Sequence, residues 1–238
     1  MKHVVHKKNN NRGFTLIEML VVIAIIGTVT GIALTRQNDF NKAFVVSNAA
    51  YDVSLSIRNT ETYGISSRGT ATTGNAGYGV EFATAMPSSF TLFADTYPVA
   101  GVSTQCHTVP SNGADAPNAL PGNCIFDSAA GEKIQGYDLN NGVTVDNFCA
   151  YTASQQYCAH GGSFAIDRLD IVFSRPNPIP TFTALVGDSV AATGSSASVN
   201  TSGLYKACVT LASSRGGTYG VLVTWNGSIT TVPQCPAN

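Results

Sequence analysis

Residues 14–34 read FTLIEMLVVIAIIGTVTGIAL, an apolar run of 21 residues broken by one charge, Glu18. At about 1.5 Å per residue a helix of this length reaches roughly 31 Å, enough to cross a bilayer. No Pro follows until Pro87. Beyond Arg36 the pattern becomes amphipathic. Phe40, Phe44, Tyr51 and Leu55 fall on one helical face, with Asn41, Lys42, Asn48, Asp52 and Arg58 between them. A helix is therefore expected from Thr15 to about Ile65, roughly 75 Å long, with the Phe40–Phe44–Tyr51–Leu55 face packed on a sheet.

After residue 65 the period changes to two. Residues 64–79 are rich in Gly, Ser and Thr and read as a loop. The runs YGVEF (78–82) and FTLF (90–93) flank Met86-Pro87-Ser88-Ser89 as a hairpin. Residues 96–130, with Pro98, Pro110, Pro117 and Pro121, read as a long excursion. Strand signals resume at 133–139, turn at Asn140-Asn141-Gly142 and continue at 143–148. LDIVF (169–173) alternates and is stopped by Pro176, Pro178 and Pro180, and 187–203 is a small-residue loop. The C-terminal pattern is a three-strand meander, 205–211, 218–225 and 228–232, turned by Arg215-Gly216-Gly217 and Asn226-Gly227. The fold class is α+β: a long N-terminal membrane-spanning helix packed on an antiparallel sheet.

Charge adds an orientation. Residues 1–13 hold Lys2, Lys7, Lys8 and Arg12 and no acid, whereas the remainder sets nine basic groups against 14 acidic ones, a net of −5. A basic flank ahead of an apolar span stays cytoplasmic, and an acidic remainder argues against a general nucleic-acid surface. Charged residues make up only 11% of the chain, well below the globular average. With abundant Gly, Ser, Thr and Asn, this points to a β-rich extracytoplasmic domain.

Six cysteines, Cys106, Cys124, Cys149, Cys158, Cys208 and Cys235, all lie beyond the apolar run and none forms a CxxC. An even count in an oxidising compartment reads as disulfides. Sequence does not choose among the pairings. Proximity alone gives Cys106–Cys124, Cys149–Cys158 and Cys208–Cys235, and the last of these would tie the tail to the meander. Cys149, Cys158, His160 and His107 match no zinc spacing. No nucleophile elbow or phosphate-binding loop is present. No catalytic residue, metal or cofactor is expected, and the chain does not read as an enzyme.

Glu18 remains to be explained, because a carboxylate inside a span costs a few kcal/mol. The stretch Gly13-Phe14-Thr15-Leu16-Ile17-Glu18 behind a basic leader resembles the processing site of type IV pilins and type II secretion pseudopilins. The resemblance implies cleavage between Gly13 and Phe14 by the prepilin peptidase, N-methylation of Phe14, and pairing of Glu18 with the terminal amine of a neighbouring subunit. It implies a leader at 1–13, a transmembrane helix at 14–36, its amphipathic continuation at 37–65 and a disulfide-containing β-rich head at 66–238. The partners implied are that peptidase, other pilin or pseudopilin subunits and an inner-membrane assembly platform. The head would be periplasmic or extracellular. More weakly, "GYGVEF", "LDIVFSRPNPIP" and "YGVLVTWNGSITTV" resemble the GspH/FimT-like minor pilin subgroup. The apolar run lacks the Pro that kinks many major pilins, and Gly27 and Gly31 are four apart. The function implied is a minor pilin or pseudopilin subunit of a type IV pilus or type II secretion pseudopilus. The alternative is a tip adhesin or DNA-uptake pilin whose disulfide loops bind a ligand, with nucleic-acid binding left open.

Overall fold

The computed structural model describes residues 13–66, 76–97, 122–174, 179–186, 198–200 and 203–236, with backbone elements alone for 35–42 and 198–200. The chain divides into two compact units, Met1–Asn41 and Lys42–Asn238. One helix, α1 (Leu16–Ile65), contributes to both. In the first unit its stretch Leu16–Leu34 has a mean hydropathy of 2.4 and buries nothing. It is long and apolar enough to cross a membrane.

The second unit is the α+β head. Its strands are β1 (Gly77–Ala83), β2 (Ser89–Asp95), β3 (Lys133–Asp138), β4 (Val143–Tyr151), β5 (Gln156–Cys158), β6 (Phe164–Ala165), β7 (Arg168–Phe173), β8 (Pro180–Val186), β9 (Ser198–Asn200), β10 (Lys206–Ser213), β11 (Thr218–Thr224) and β12 (Ile229–Val232). The single sheet expected is instead two. Sheet A runs β3-β2-β1-β7-β8-β9 and sheet B runs β12-β11-β10-β4-β5-β6. Every pairing is antiparallel except the short β5–β6 contact, which is parallel.

One apolar core joins the two sheets and the helix. Val80, Phe82 and Ile171 come from sheet A, Phe148, Val209 and Val221 from sheet B, and Val46, Ala50, Val53 and Ile57 from α1. In β4 both Val145 and Phe148 face this core although they are three apart. A register shift opposite Thr210 and Leu211 takes up Asp146 as a bulge. On the helix, Arg58 donates from a guanidinium nitrogen to the Ile229 carbonyl at 2.6 Å, touching the edge strand of sheet B.

Four expectations need correction. The helix face that packs is not Phe44–Tyr51–Leu55, whose side chains are 55%, 64% and 47% exposed. Phe40 lies outside the residues with described side chains. The buried face is Val46, Ala50, Val53, Ile57, Thr60 and Gly64, spaced four, three, four, three and four apart. The physical reason is volume. The sheets already fill the core with Phe82, Phe90, Phe148 and Phe173, so the helix offers small and β-branched residues that bring its backbone close.

Second, Asn140-Asn141-Gly142 does not close a hairpin. Asn141 and Gly142 adopt φ of 61° and 71°, the conformation of a tight turn, but β3 pairs with β2 and β4 with β10. The turn carries the chain from sheet A to sheet B. Third, Pro180 opens a strand that was not foreseen. As the first residue of β8 it pairs with Phe173, a position where a missing N–H is tolerated. Fourth, β7 is not half-exposed, because all six of its residues are buried. The loop expected at 187–203 and the excursion at 96–130 lie largely outside the described residues, as does the leader before Gly13. Those parts of the expected domain scheme rest on sequence.

Candidate processing site, cystine ladder and buried carboxylates

Thr15 starts the helix. Its carbonyl accepts from the Glu18 and Met19 N–H groups at 3.1 and 3.2 Å. Its Oγ1 accepts from the Glu18 N–H at 3.3 Å. Threonine followed by glutamate three residues on is the spacing of a capping box, and an acid in the first turn suits the positive end of the helix dipole. Gly13 and Phe14 therefore stand just outside the helix, and Phe14 is 78% exposed. A Cβ added at Gly13 would meet nothing within 4 Å. The packing of the described residues does not require glycine there. Gly27 and Gly31 likewise meet nothing within 4 Å.

The cysteines fall on adjacent strands. Cys149 is bridged to Cys158, its direct partner across β4 and β5, with Cα atoms 4.1 Å apart. Cys208 is bridged to Cys235 with Cα atoms 5.8 Å apart. Cys149 and Cys208 are themselves register partners across β4 and β10. The two bridges thus form a ladder on the face of sheet B away from the main core, packed with Tyr151. The Tyr151 hydroxyl donates to the Pro236 carbonyl at 2.8 Å, a second tie on the tail. Cys124 is also disulfide-bonded. Cys106, the partner expected from proximity, and His107 lie outside the described residues. With Cys149 and Cys158 oxidised, neither offers a thiolate to a metal. No group of three or more candidate metal ligands occurs among the described residues.

A charged cluster escaped sequence reasoning. Glu81, Asp95, Asp127, Glu132 and Asp170 are all buried, and Arg168 is the only buried cation among the described residues. Alternation put Glu81 and Asp170 on the outer face of sheet A. The residues around Cys124 and Phe126 cover that face, packing on Phe93 and Val172. Arg168 bridges Glu81 at 2.9 Å and Asp170 at 3.2 Å, and donates to the Phe126 carbonyl at 2.9 Å. The Phe126 N–H donates to Asp170 Oδ2 at 3.2 Å.

The remaining carboxylates hold the base of the excursion. Glu132 Oε1 accepts from the Thr96 and Tyr97 N–H groups at 2.6 and 2.7 Å, and Oε2 from the Asp127 N–H at 2.8 Å. The two oxygens of Asp95 accept from the Asn123 and Cys124 N–H groups at 2.9 and 2.8 Å. Gly122 has φ of 110°, and a Cβ there would strike the Asp95 carboxylate. Burial is the main force on these acids. It raises Asp127 and Glu132, with hydrogen bonds opposing. It pushes Asp95 well above the usual range, reinforced by the charge of Glu132. It takes Asp170 to about 7, with Arg168 opposing and Glu81 reinforcing. The signal available in the sequence was an acid inside each of two otherwise apolar strands.

Residues 8–34 match the family model of the prokaryotic N-terminal methylation motif. The match ends with the apolar stretch and includes Gly13, Phe14 and Glu18. No curated protein sequence and no solved structure matches the chain.

Proposed function

We propose that this chain is a structural minor pilin or pseudopilin subunit. The observation that carries the reading is the methylation motif over residues 8–34, which takes in the exposed apolar stretch Leu16–Leu34. In this reading the prepilin peptidase cuts between Gly13 and Phe14 and Phe14 is methylated. The helix anchors the subunit in the inner membrane with the leader cytoplasmic. The two bridges support a head on the oxidising side. Glu18 pairs with the amine of a neighbouring subunit's first residue as the helices bundle. An ion pair in a low-dielectric bundle contributes little alone, but losing one partner strands the other at a cost of about 3–5 kcal/mol. It therefore enforces register. The GspH/FimT-like assignment rests on the sequence likeness of segments including "GYGVEF" and "LDIVF", which form β1 and β7, neighbours in one sheet. Other pilin-like subunits and an inner-membrane assembly platform are the partners.

Intact-mass analysis of the membrane-extracted protein tests this. The mature chain is expected to lack residues 1–13 and to carry one methyl group on Phe14. A chain still bearing its leader in cells with an active prepilin peptidase would overturn the reading.

A second reading, a tip adhesin or DNA-uptake pilin, draws support from the hydrogen bonds that Asp95 and Glu132 accept from Thr96, Tyr97, Asn123 and Cys124, the residues flanking 98–121. Strongly salt-dependent binding of DNA by the purified protein would favour it.

A further inference from the structure

Among the described residues five buried carboxylates are accompanied by one buried guanidinium, which pairs with Glu81 and Asp170, and the arrangement leaves oxygens over. Among the described residues, buried Asp170 Oδ1 and Thr183 Oγ1 have no hydrogen-bond partner. They stand on register partners of β7 and β8, and Glu81 is the register partner of Asp170 on the other side. The charged groups that act on Asp170 are Arg168 on β7, Glu81 on β1 and Asp127 on the covering segment. From β8 it meets the Thr183 hydroxyl. With every acid ionised the seam between sheet A and the covering segment would hold a surplus of negative charge. Opening that segment is what would let water reach it.

We propose that this seam is a proton-operated latch: a proton held by the Glu81–Asp170 pair seats residues 122–127 on sheet A, and its loss frees them. Phe126 is the moving part. Its carbonyl is held by Arg168 and its N–H by Asp170, while its ring packs on Phe93 at 5.4 Å between centroids. A proton on Asp170 leaves Arg168 to pair with Glu81 alone and supplies a donor beside Thr183. Without it, one guanidinium serves two carboxylates, and the unbalanced charge is relieved by lifting the segment into water. The latch would thus govern how the base of the 98–121 segment is held, tight in acid and loose in alkali.

Hydrogen exchange of the full-length protein in detergent, corrected for intrinsic rates and followed from about pH 5 to about pH 9, tests the latch. The peptide spanning residues 122–127 is expected to open about tenfold more per pH unit from about pH 5 up to roughly 7, as for loss of one proton on opening, and to level off above it. Peptides from β4 and β10 should keep their protection. Asp170→Asn should abolish the slope. A flat wild-type profile, a slope retained by Asp170→Asn, or an equal slope in β4 and β10 would each overturn the proposal. Should Asp170→Asn not fold, infrared difference spectra of the wild type decide. A buried carboxylic acid present below about pH 6 and gone above about pH 8 supports the latch, and its absence refutes it.

Discussion

Gly64 lies directly against the Phe173 carbonyl, so closely that a Cβ on residue 64 would overlap the oxygen. The last turn of α1 touches β7 through bare backbone. Gly64→Ala should therefore destabilise the head by about 1–3 kcal/mol, because the obstruction is main chain in a central strand and has no rotamer to change. Gly27→Ala, which meets nothing, should leave head stability unchanged. Denaturant unfolding of both variants makes the comparison.

The packing face of the helix can be told apart by two truncations. Ile57 is fully buried, whereas Tyr51 is exposed. Ile57→Ala should cost about 2–5 kcal/mol. Tyr51→Ala should stay within about 0.5 kcal/mol. The reverse order of unfolding midpoints would restore the aromatic face as the packed one.

Cys208–Cys235 closes 27 residues of chain around the C-terminal meander. Cys235→Ser should cost about 2–4 kcal/mol and leave Cys208 as a buried thiol. Peptide mapping without reductant should recover Cys149–Cys158 intact in the variant. A Cys149–Cys208 peptide in its place would show that the register partners exchange.

Stability should fall as pH rises. Asp95, Asp127, Glu132 and Asp170 are all raised above their ordinary values, so the folded chain holds protons that the unfolded chain releases. The stabilisation is complete below the ordinary carboxylate range, and the share owed to Asp170 is lost as pH passes through about 7. Thermal unfolding between about pH 5 and pH 8 should show a declining midpoint, with a shallower decline in Asp170→Asn.

On the proposed function, Glu18→Ala should still be processed at Gly13 yet enter filaments less well, because the neighbouring amine would lose its counter-charge. Crosslinking into sheared filaments measures entry. Wild-type levels would assign Glu18 another role.

The parts legible in the sequence were those governed by local chemistry. Asn226-Gly227 fixed a hairpin because β11 and β12 flank it in register, Val223 opposite Ile229. Long-range geometry was not legible. Large apolar residues at helical spacing seemed to mark the buried face of α1, but the space beneath had been taken by aromatic rings from the sheets. Pro180 read as a terminator because its neighbours Pro176 and Pro178 hid the apolar run after it. Glu81 and Asp170 sat where alternation places solvent, and nothing local showed that residues 122–127 would fold back over them. The methylation motif over residues 8–34, by contrast, was legible because it is a linear pattern that does not depend on the fold.

The hydrogen bond from Arg58 to Ile229 bears on crowding. In the proposed filament the subunit would stand among other pilin-like subunits, with the edge strand of its own sheet B beside them. An open edge invites strand-by-strand annealing, the route to irregular aggregates. By occupying a carbonyl of β12 with a charged side chain from its own helix, the head makes that edge a poor template. In the proposed filament, contact between subunits would then fall to the exposed helix.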